Sequence, residues 1–560
     1  MAIQKKKLGE ILMDAGCLTE EKLNEALRLQ KTDGERLGRV LINHGFVTER
    51  EMLNALHTQM GFSIVDPETI EIPDKVIQMI PYPLVKRYNA IPVKLENGYL
   101  TVVMEDPLNF VAIEDIHVAT QCEIIPVISS YRSIINTAGR LYGNRSADKA
   151  VQDIKNEYVE TARTVTNTEV DAAVDNAPIV RLINSVIDVA ITDGASDIHI
   201  EPLISSVRIR YRLDGKLKII RDVPKDAQNA IVTRIKILAD MDIAERRLPQ
   251  DGRFDYKFRD NVYSIRVSVL PTTNGEKTVL RILDKYNFRI RKEFLGFTKE
   301  NFDKFEKLIS IPNGLVLVTG PTGTGKSTTL YAMLSELNKT TENIITIEDP
   351  VEYVIEGISQ VQVNPKIGLD FAEALRTFLR QDPDVIMVGE IRDPETADIA
   401  IRSAITGHLV LSTMHTNDAV SAVARLIEMG IAPYILAVSL MGVISQRLVR
   451  KLCPDCAQEY EVPDYELKFL GLRGPRKFKK ACGCSKCNGI GYKGRTAVHE
   501  ILIVDSEIRN KISKGADTAE IQAIATKNGM TSLRDECIRL LEEGQTSFEE
   551  VSYITCGVES

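Results

Sequence analysis

The octapeptide Gly320-Pro321-Thr322-Gly323-Thr324-Gly325-Lys326-Ser327 has the residue types and spacing of a loop that wraps phosphate. It follows the apolar run at 315–318 and opens a helical pattern at Lys326. Glycines let backbone N–H groups close around phosphate oxygens, Lys326 neutralises the β and γ oxygens, and the Ser327 hydroxyl, with Thr328 beside it, is placed to meet magnesium. The chemistry implied is binding of ATP with magnesium.

Hydrolysis also needs a carboxylate near the terminal phosphate. The run Val385-Ile386-Met387-Val388-Gly389-Glu390 ends in one, and Glu390 is the candidate general base. Glu348-Asp349-Pro350, with Glu352, follows a second apolar run, and spacing leaves open which carboxylate orients water and which holds metal. His408 and His415 bracket the strand-like segment 409–412. A histidine that follows a strand beside a phosphate loop can sense the terminal phosphate, while metal ligation by this pair lacks a third ligand at suitable spacing.

Cys453-x-x-Cys456 and Cys484-x-x-Cys487, separated by 27 residues, are thiolate pairs of the kind that hold tetrahedral zinc. Cys482 is an alternative to Cys484 but breaks the two-residue spacing. A closed site of this kind is structural and fastens the segment between its halves. In residues 207–213, Arg208, Arg210 and Arg212 alternate with apolar residues, so three guanidinium groups share one strand face. With Arg266 and Arg281 they are candidates to deliver positive charge from a neighbouring domain or subunit as phosphate charge shifts, Arg210 first.

These groups need elements to position them. From residue 311 the pattern runs strand, glycine-rich loop, helix, strand, helix, strand, with strands at 315–319, 344–347, 385–388 and 409–412, a nucleotide-binding α/β core over 291–560 with the cysteine segment at 450–490. A second α/β block at 176–290 begins with a helix at 179–191 and continues in alternating strands at 207–213 and 263–269, with Asp214-Gly215 as a hairpin turn. Residues 144–175, poor in apolar periodicity, read as a linker, partly helical. The amino-terminal region, 1–143, holds a small α/β unit at 62–143 after a repeat of period 29 within 8–60: Leu8-Gly9, Leu12, Gly16, Leu18 and Ala26-Leu27 recur as Leu37-Gly38, Leu41, Gly45, Val47 and Ala55-Leu56. Two stacked helical hairpins follow, each with a glycine stop and a capping threonine, Thr19 or Thr48.

A chain of 560 residues, 44% hydrophobic and 26% charged, is globular material for several domains. A net charge of −8 and the absence of tryptophan argue against a nucleic-acid translocase, which needs a basic channel with stacking aromatics. No stretch reaches the roughly 20 apolar residues of a membrane helix, and residues 431–445, interrupted by Pro433 and halted at Gln446-Arg447, read as a buried helix. Lys5, Lys6 and Lys7 precede an apolar run that Glu10 and Asp14 break, so no signal peptide is expected. Nine unevenly placed cysteines fit a reducing compartment, and the expected location is the cytoplasm.

Taken in order, the phosphate loop, the acidic box at 347–353, Gly389-Glu390-Ile391-Arg392-Asp393 and the histidine box at 406–418 resemble the secretion ATPase superfamily. Ser196-Asp197-Ile198-His199-Ile200-Glu201-Pro202 and Gly275-Glu276-Lys277 look like its middle domain. The resemblance implies an α/β multidomain fold with a RecA-like P-loop core and a PAS-like middle domain. The four cysteines and long amino-terminal region are similar to the assembly branch, the type IV pilus extension ATPases (PilB) and type II secretion ATPases (GspE), rather than to the shorter retraction motors. What this implies is a homo-hexamer at the inner face of the cytoplasmic membrane, whose subunits close in turn on ATP and move an inner-membrane platform protein so that pilins enter a growing filament. The amino-terminal repeats resemble tandem cyclic di-GMP-binding motifs of some members, in which an arginine often precedes each Leu-Gly. Arg36 does so here, but Lys7 stands in the first unit, and lysine cannot stack on guanine as a guanidinium does. A helical docking module for membrane partners is the alternative.

Overall fold

The computed structural model describes residues 8–33, 37–161, 177–259, 261–284, 292–487 and 489–556. Contacts divide the chain into two units, Met1–Leu283 and Asp284–Ser560.

In the first unit the repeats form helices Leu8–Asp14, Glu20–Asp33, Leu37–Asn43 and Glu49–Met60. Gly16 (φ 72°) and Gly45 (φ 68°) take the left-handed conformation that ends the first helix of each repeat. Thr48 and Glu51 form a reciprocal capping box, in which the Thr48 amide donates to the Glu51 carboxylate at 2.7 Å. The two hairpins interlock rather than stack: the first helix packs on the fourth and the second on the third. Equivalent residues meet in one core, Leu12 with Leu41, Leu18 with Val47 and Ala26 with Ala55, all buried. Lys7 and Arg36 lie outside the described residues.

Strands Ala90–Glu96, Tyr99–Met104 and Glu123–Ile128 make a three-stranded sheet next to helix Phe110–Thr120. The expected linker at 144–175 is helical as far as residue 161, and residues 162–175 lie outside the described residues. A single helix, Tyr131–Thr161, starts inside the small α/β unit and continues through residues 144–161. It packs on helix Ala177–Thr192 of the middle domain. Gly139 and Gly143 permit the close approach, since a Cβ at Gly143 would fall 2.6 Å from Val189. Arg221 to Asp148 (2.6 Å) and Arg181 to Asp153 (2.9 Å) tie the same helix to the middle domain. As far as Asp153 the stretch is therefore a packed helix, with Ala147, Ala150 and Val151 buried and Asp148 and Lys149 exposed.

The middle domain has a six-stranded sheet, in spatial order Lys216–Pro224, Ser206–Leu213, Asp197–Pro202, Gly275–Asp284, Asn261–Thr272 and Gln250–Phe258. Ile198, Ile200, Ile209, Tyr211 and Leu280 are buried from these strands, while the arginines occupy the alternate positions.

The second unit is built on a seven-stranded sheet. Its strands are β1 (Gly314–Thr319), β2 (Ile344–Glu348), β3 (Ser359–Gln362), β4 (Val385–Val388), β5 (Leu409–Met414), β6 (Leu440–Leu452) and β7 (Tyr492–Ile503), in spatial order β3-β2-β4-β5-β1-β6-β7. The first six are parallel, and β7 runs antiparallel to β6. Every residue of β1, β2, β4 and β5 is buried, which explains their unbroken apolar runs. The buried helix expected at 431–445 is only half helix: Pro433–Ser439 is helical and Leu440 starts β6. A strand buried on both faces and a buried helix are equally apolar throughout, so periodicity could not separate them.

Candidate functional site

Ligands of open parallel sheets bind beyond the carboxyl ends of the strands, and the predicted chemistry gathers there. Gly320 follows β1, Glu348 ends β2, Glu390 stands two residues beyond β4 and His415 directly follows β5. Helix α1 (Lys326–Leu337) begins at the loop. Gly320 (φ 143°), Gly323 (φ 82°) and Gly325 (φ 87°) hold backbone conformations that side chains rarely adopt, and a Cβ on Gly320 would lie 2.6 Å from the Gln446 carbonyl. Pro321, Thr322 and Gly323 are exposed at the rim, as are Ser327 and Thr328 at the start of α1, while Thr324 is buried with its hydroxyl donating to the Pro321 carbonyl at 3.0 Å. Lys326 Nζ turns back on the loop and donates to the carbonyls of Gly320 (2.8 Å) and Pro321 (3.0 Å). Burial lowers its pKa to about 8, with Glu390 opposing that shift and Arg447 adding to it.

The two carboxylates differ in what they can do. Glu390 is paired with Arg392 at 2.5 Å and lies 3.4 Å from His415 Nε2, while Thr413 Oγ1 donates to the neighbouring Gly389 carbonyl at 2.7 Å. Glu348 is 4% exposed, and both its oxygens are taken: Thr346 donates at 2.6 Å, Gln360 at 3.0 Å, and the Tyr331 hydroxyl from α1 also donates to it. That geometry favours Glu390 as a proton acceptor and Glu348 as a brace beneath α1. The histidines separate as well. Leu409 pairs with Gly314 and Met414 with Thr319, so His408 lies at the opposite end of the parallel strands from the loop. There His408 Nδ1 sits 2.9 Å from the Ser403 carbonyl, and only His415 joins the site.

On the middle-domain sheet, Asp197 is in register with Arg212 and Arg281, His199 with Arg210, and Glu201 with Arg208. Arg208 grips Asp222 through two bonds of 2.9 Å, Arg210 donates to Glu201 at 2.6 Å, Arg281 to Asp197 at 2.9 Å, and Arg212 to the Gly215 carbonyl at 2.8 Å. Arg266 is in register with Arg253. Burial alone would raise Asp197 and Glu201, but the bonds from Arg281 and Ser196 to one, and from Arg210 and Lys277 to the other, hold both below the ordinary carboxylate range. Arg208, Arg210 and Arg281 are thus held on carboxylates of their own unit.

Cys453, Cys456, Cys484 and Cys487 converge, with all four sulfurs within 4.8 Å of one another. Sγ separations are 3.9 Å for Cys453 to Cys484, 3.8 Å for Cys456 to Cys487 and 3.7 Å for Cys484 to Cys487. Cys482 is exposed and outside the group. Burial works against the Cys487 thiolate, but amides of Cys484 and Gly491 donating at 3.1 Å outweigh it and bring this thiol to about 7.

The family described as type II/IV secretion system protein matches residues 172–553, which takes in the middle-domain sheet, the phosphate loop and the cysteine cluster. The chain belongs to this family. A MshEN domain also matches, over residues 60–148, so it falls on the small α/β unit and the start of the long helix rather than on the interlocked repeats. The chain is 42% identical to the type IV pilus assembly ATPase PilB of Thermus thermophilus, across 98% of its own length and 66% of that protein. It is 40% identical to the PilB of Myxococcus xanthus across 97% of its length and 98% of that protein. Identity to the type II secretion system ATPase E of Vibrio cholerae is 48%, over 68% of this chain and 76% of that one.

Two residues of this secretion ATPase were not legible as site residues. Gln446 and Arg447 merely end an apolar run in sequence, yet the parallel pairing of Thr319 with Ser445 sets them directly against the phosphate loop. A signal was present in the placing of Gln446 and Arg447 between the apolar stretches 440–444 and 448–449, but only the register of a strand over 120 residues away gives it meaning.

Proposed function

We propose that this chain is the ATP-hydrolysing motor of type IV pilus assembly. What carries the reading is the end-to-end similarity to the Myxococcus PilB, amino-terminal region included, whereas the type II secretion relative matches only 68% of the chain. A pseudopilus motor is the second reading.

ATP occupies the loop after Thr319, with Lys326 leaving the Gly320 and Pro321 carbonyls to meet the β and γ oxygens. Ser327, exposed at the start of α1, is the residue that would hold magnesium, which when bound neutralises developing charge on the phosphates. Glu390 accepts the proton of the attacking water, oriented by Arg392 and His415 on either side of it. Arg210, with Arg208, Arg212, Arg266 and Arg281, reaches phosphate on a neighbouring copy in a homo-hexamer, exchanging its carboxylate for the triphosphate. The hexamer works at the inner face of the cytoplasmic membrane on a platform protein; no described helix is long and apolar enough to cross a membrane itself. Zinc fits the four thiolates, because a tetrahedron with Zn–S of about 2.3 Å has edges of about 3.8 Å, close to the sulfur separations of 3.7 to 3.9 Å. Its role is to fix the segment folded back from β6 to β7. The amino-terminal repeats take cyclic di-GMP.

The test pairs biochemistry with genetics. Lys326→Ala is expected to lose nucleotide binding, and Glu390→Gln to bind ATP but hydrolyse it roughly 10²–10⁴-fold more slowly. Neither should restore pili to a strain lacking the gene. Intact pili with failed protein secretion in that strain would replace the pilus reading by the pseudopilus one, and normal turnover by Glu390→Gln would move the base to Glu348.

A further inference from the structure

β6 carries two polar side chains into the core behind the phosphate loop. Gln446 is 1% exposed and makes two bonds to the loop region: its Nε2 donates to the Thr324 carbonyl at 2.7 Å, and its Oε1 accepts from the Thr329 hydroxyl of α1 at 2.7 Å. Arg447 is 8% exposed. Its Nη2 donates to the Asn417 carbonyl at 2.7 Å, in the turn that follows His415, and its Nη1 to the Gln446 carbonyl at 3.1 Å. A Cβ built on Gly320 would fall 3.2 Å from Nη1, so the guanidinium lies against the first glycine of the loop.

The charge is what distinguishes Arg447 from an ordinary strut. Its hydrogen bonds go to neutral carbonyls, and Asp418 and Glu500 act on it only at longer range. Among the described residues it has no carboxylate within 4.0 Å, unlike Arg450 further along the strand, which pairs with Glu550 at 2.5 Å. A buried guanidinium without a counter-charge is costly and stays charged. The loop therefore has two cations against it, Lys326 and Arg447, each bound to backbone carbonyls.

We propose that Arg447 is a second cation of the phosphate site, a positioning residue that acts from behind the loop through the Gly320 peptide, its charge balanced by an incoming nucleoside polyphosphate, with Gln446 fixing the loop in the register this requires. Arg447 does not touch the nucleotide. Asn417 holds its guanidinium at the loop and thereby joins the turn bearing His415 to the phosphate site. The inference rests on nucleotide occupying the loop after Thr319, which Lys326→Ala tests separately.

The experiment uses the full-length assembly and compares Arg447→Met with Arg447→Lys, measuring Kd for magnesium-ADP over a salt series and KM and kcat for ATP. Arg447→Met should weaken ADP binding about tenfold or more, equivalent to about 1.4 kcal/mol, raise KM more than it lowers kcat, and flatten the salt dependence of affinity. Arg447→Lys, which keeps the charge but not the planar grip on Asn417, should stay within about threefold of the native Kd. A lysine variant as poor as methionine, or a methionine variant with native ADP affinity and only a lower kcat or melting temperature, would make Arg447 a tether and overturn the proposal. Should Arg447→Met fail to fold, the lysine variant decides alone, native affinity supporting the charge role and a tenfold loss in folded protein refuting it. Normal ADP binding by Lys326→Ala would instead strike the loop assignment.

Discussion

The Lys326 ammonium offers the sharpest test of how the site is charged. In the free protein burial brings its pKa to about 8, and contact with phosphate would return it toward the ordinary lysine value of about 10.4. Binding then draws in a proton wherever the free protein has lost one. Affinity is fully present below the free-state value and falls as pH rises through it, because deprotonated Lys326 must be recharged before it can serve. Between pH 7 and pH 9 the protonated fraction drops from about nine-tenths to about one-tenth, so Kd for magnesium-ADP should rise about tenfold. At pH 8.5 binding should take up about 0.7 of a proton. Calorimetry in buffers of different ionisation enthalpy reads both quantities, and Lys326→Arg, which cannot titrate in this range, should abolish the uptake. Removing the Arg447 charge should move the alkaline limb upward, since that charge helps depress Lys326. An ADP affinity that is flat from pH 7 to pH 9, with no proton uptake, would refute the charge model of the loop.

Protein purified without chelator should carry about one zinc per subunit, and Cys487→Ser should lose the metal and open the segment between Cys453 and Gly491 to proteolysis; metal analysis that finds none defeats the thiolate assignment. Cyclic di-GMP should bind the full-length chain with measurable heat, Lys7→Arg should tighten that binding and Arg36→Ala should remove it; absence of heat from both the native chain and Lys7→Arg would leave the repeats as a docking module.

What could be read from sequence was whatever rests on local order. The phosphate loop, the repeat stops at Gly16 and Gly45 and the alternating arginine strand are specified within a few residues of themselves, and the structure has each of them. A strand rising about 3.3 Å per residue parts His408 and His415, which stand at its two ends, by about 20 Å, so only one of the pair can lie at the loop. Residues 144–161 carry little apolar periodicity, so the sequence shows the length of the helix through them only in part. The remainder was not local at all. That Glu348 would be consumed by Tyr331, Thr346 and Gln360, or that Gln446 would meet Thr324, depends on which strands become neighbours.

The interlocked amino-terminal repeats amount to a two-fold dimer fused into a single polypeptide. Neither copy of the duplicated segment closes its own interior, since Leu12 of one and Leu41 of the other belong to the same cluster. Cutting or shortening the connection between the copies would leave each half seeking its complement on another chain. Duplication followed by fusion thus keeps within one chain a pairing that would otherwise join two.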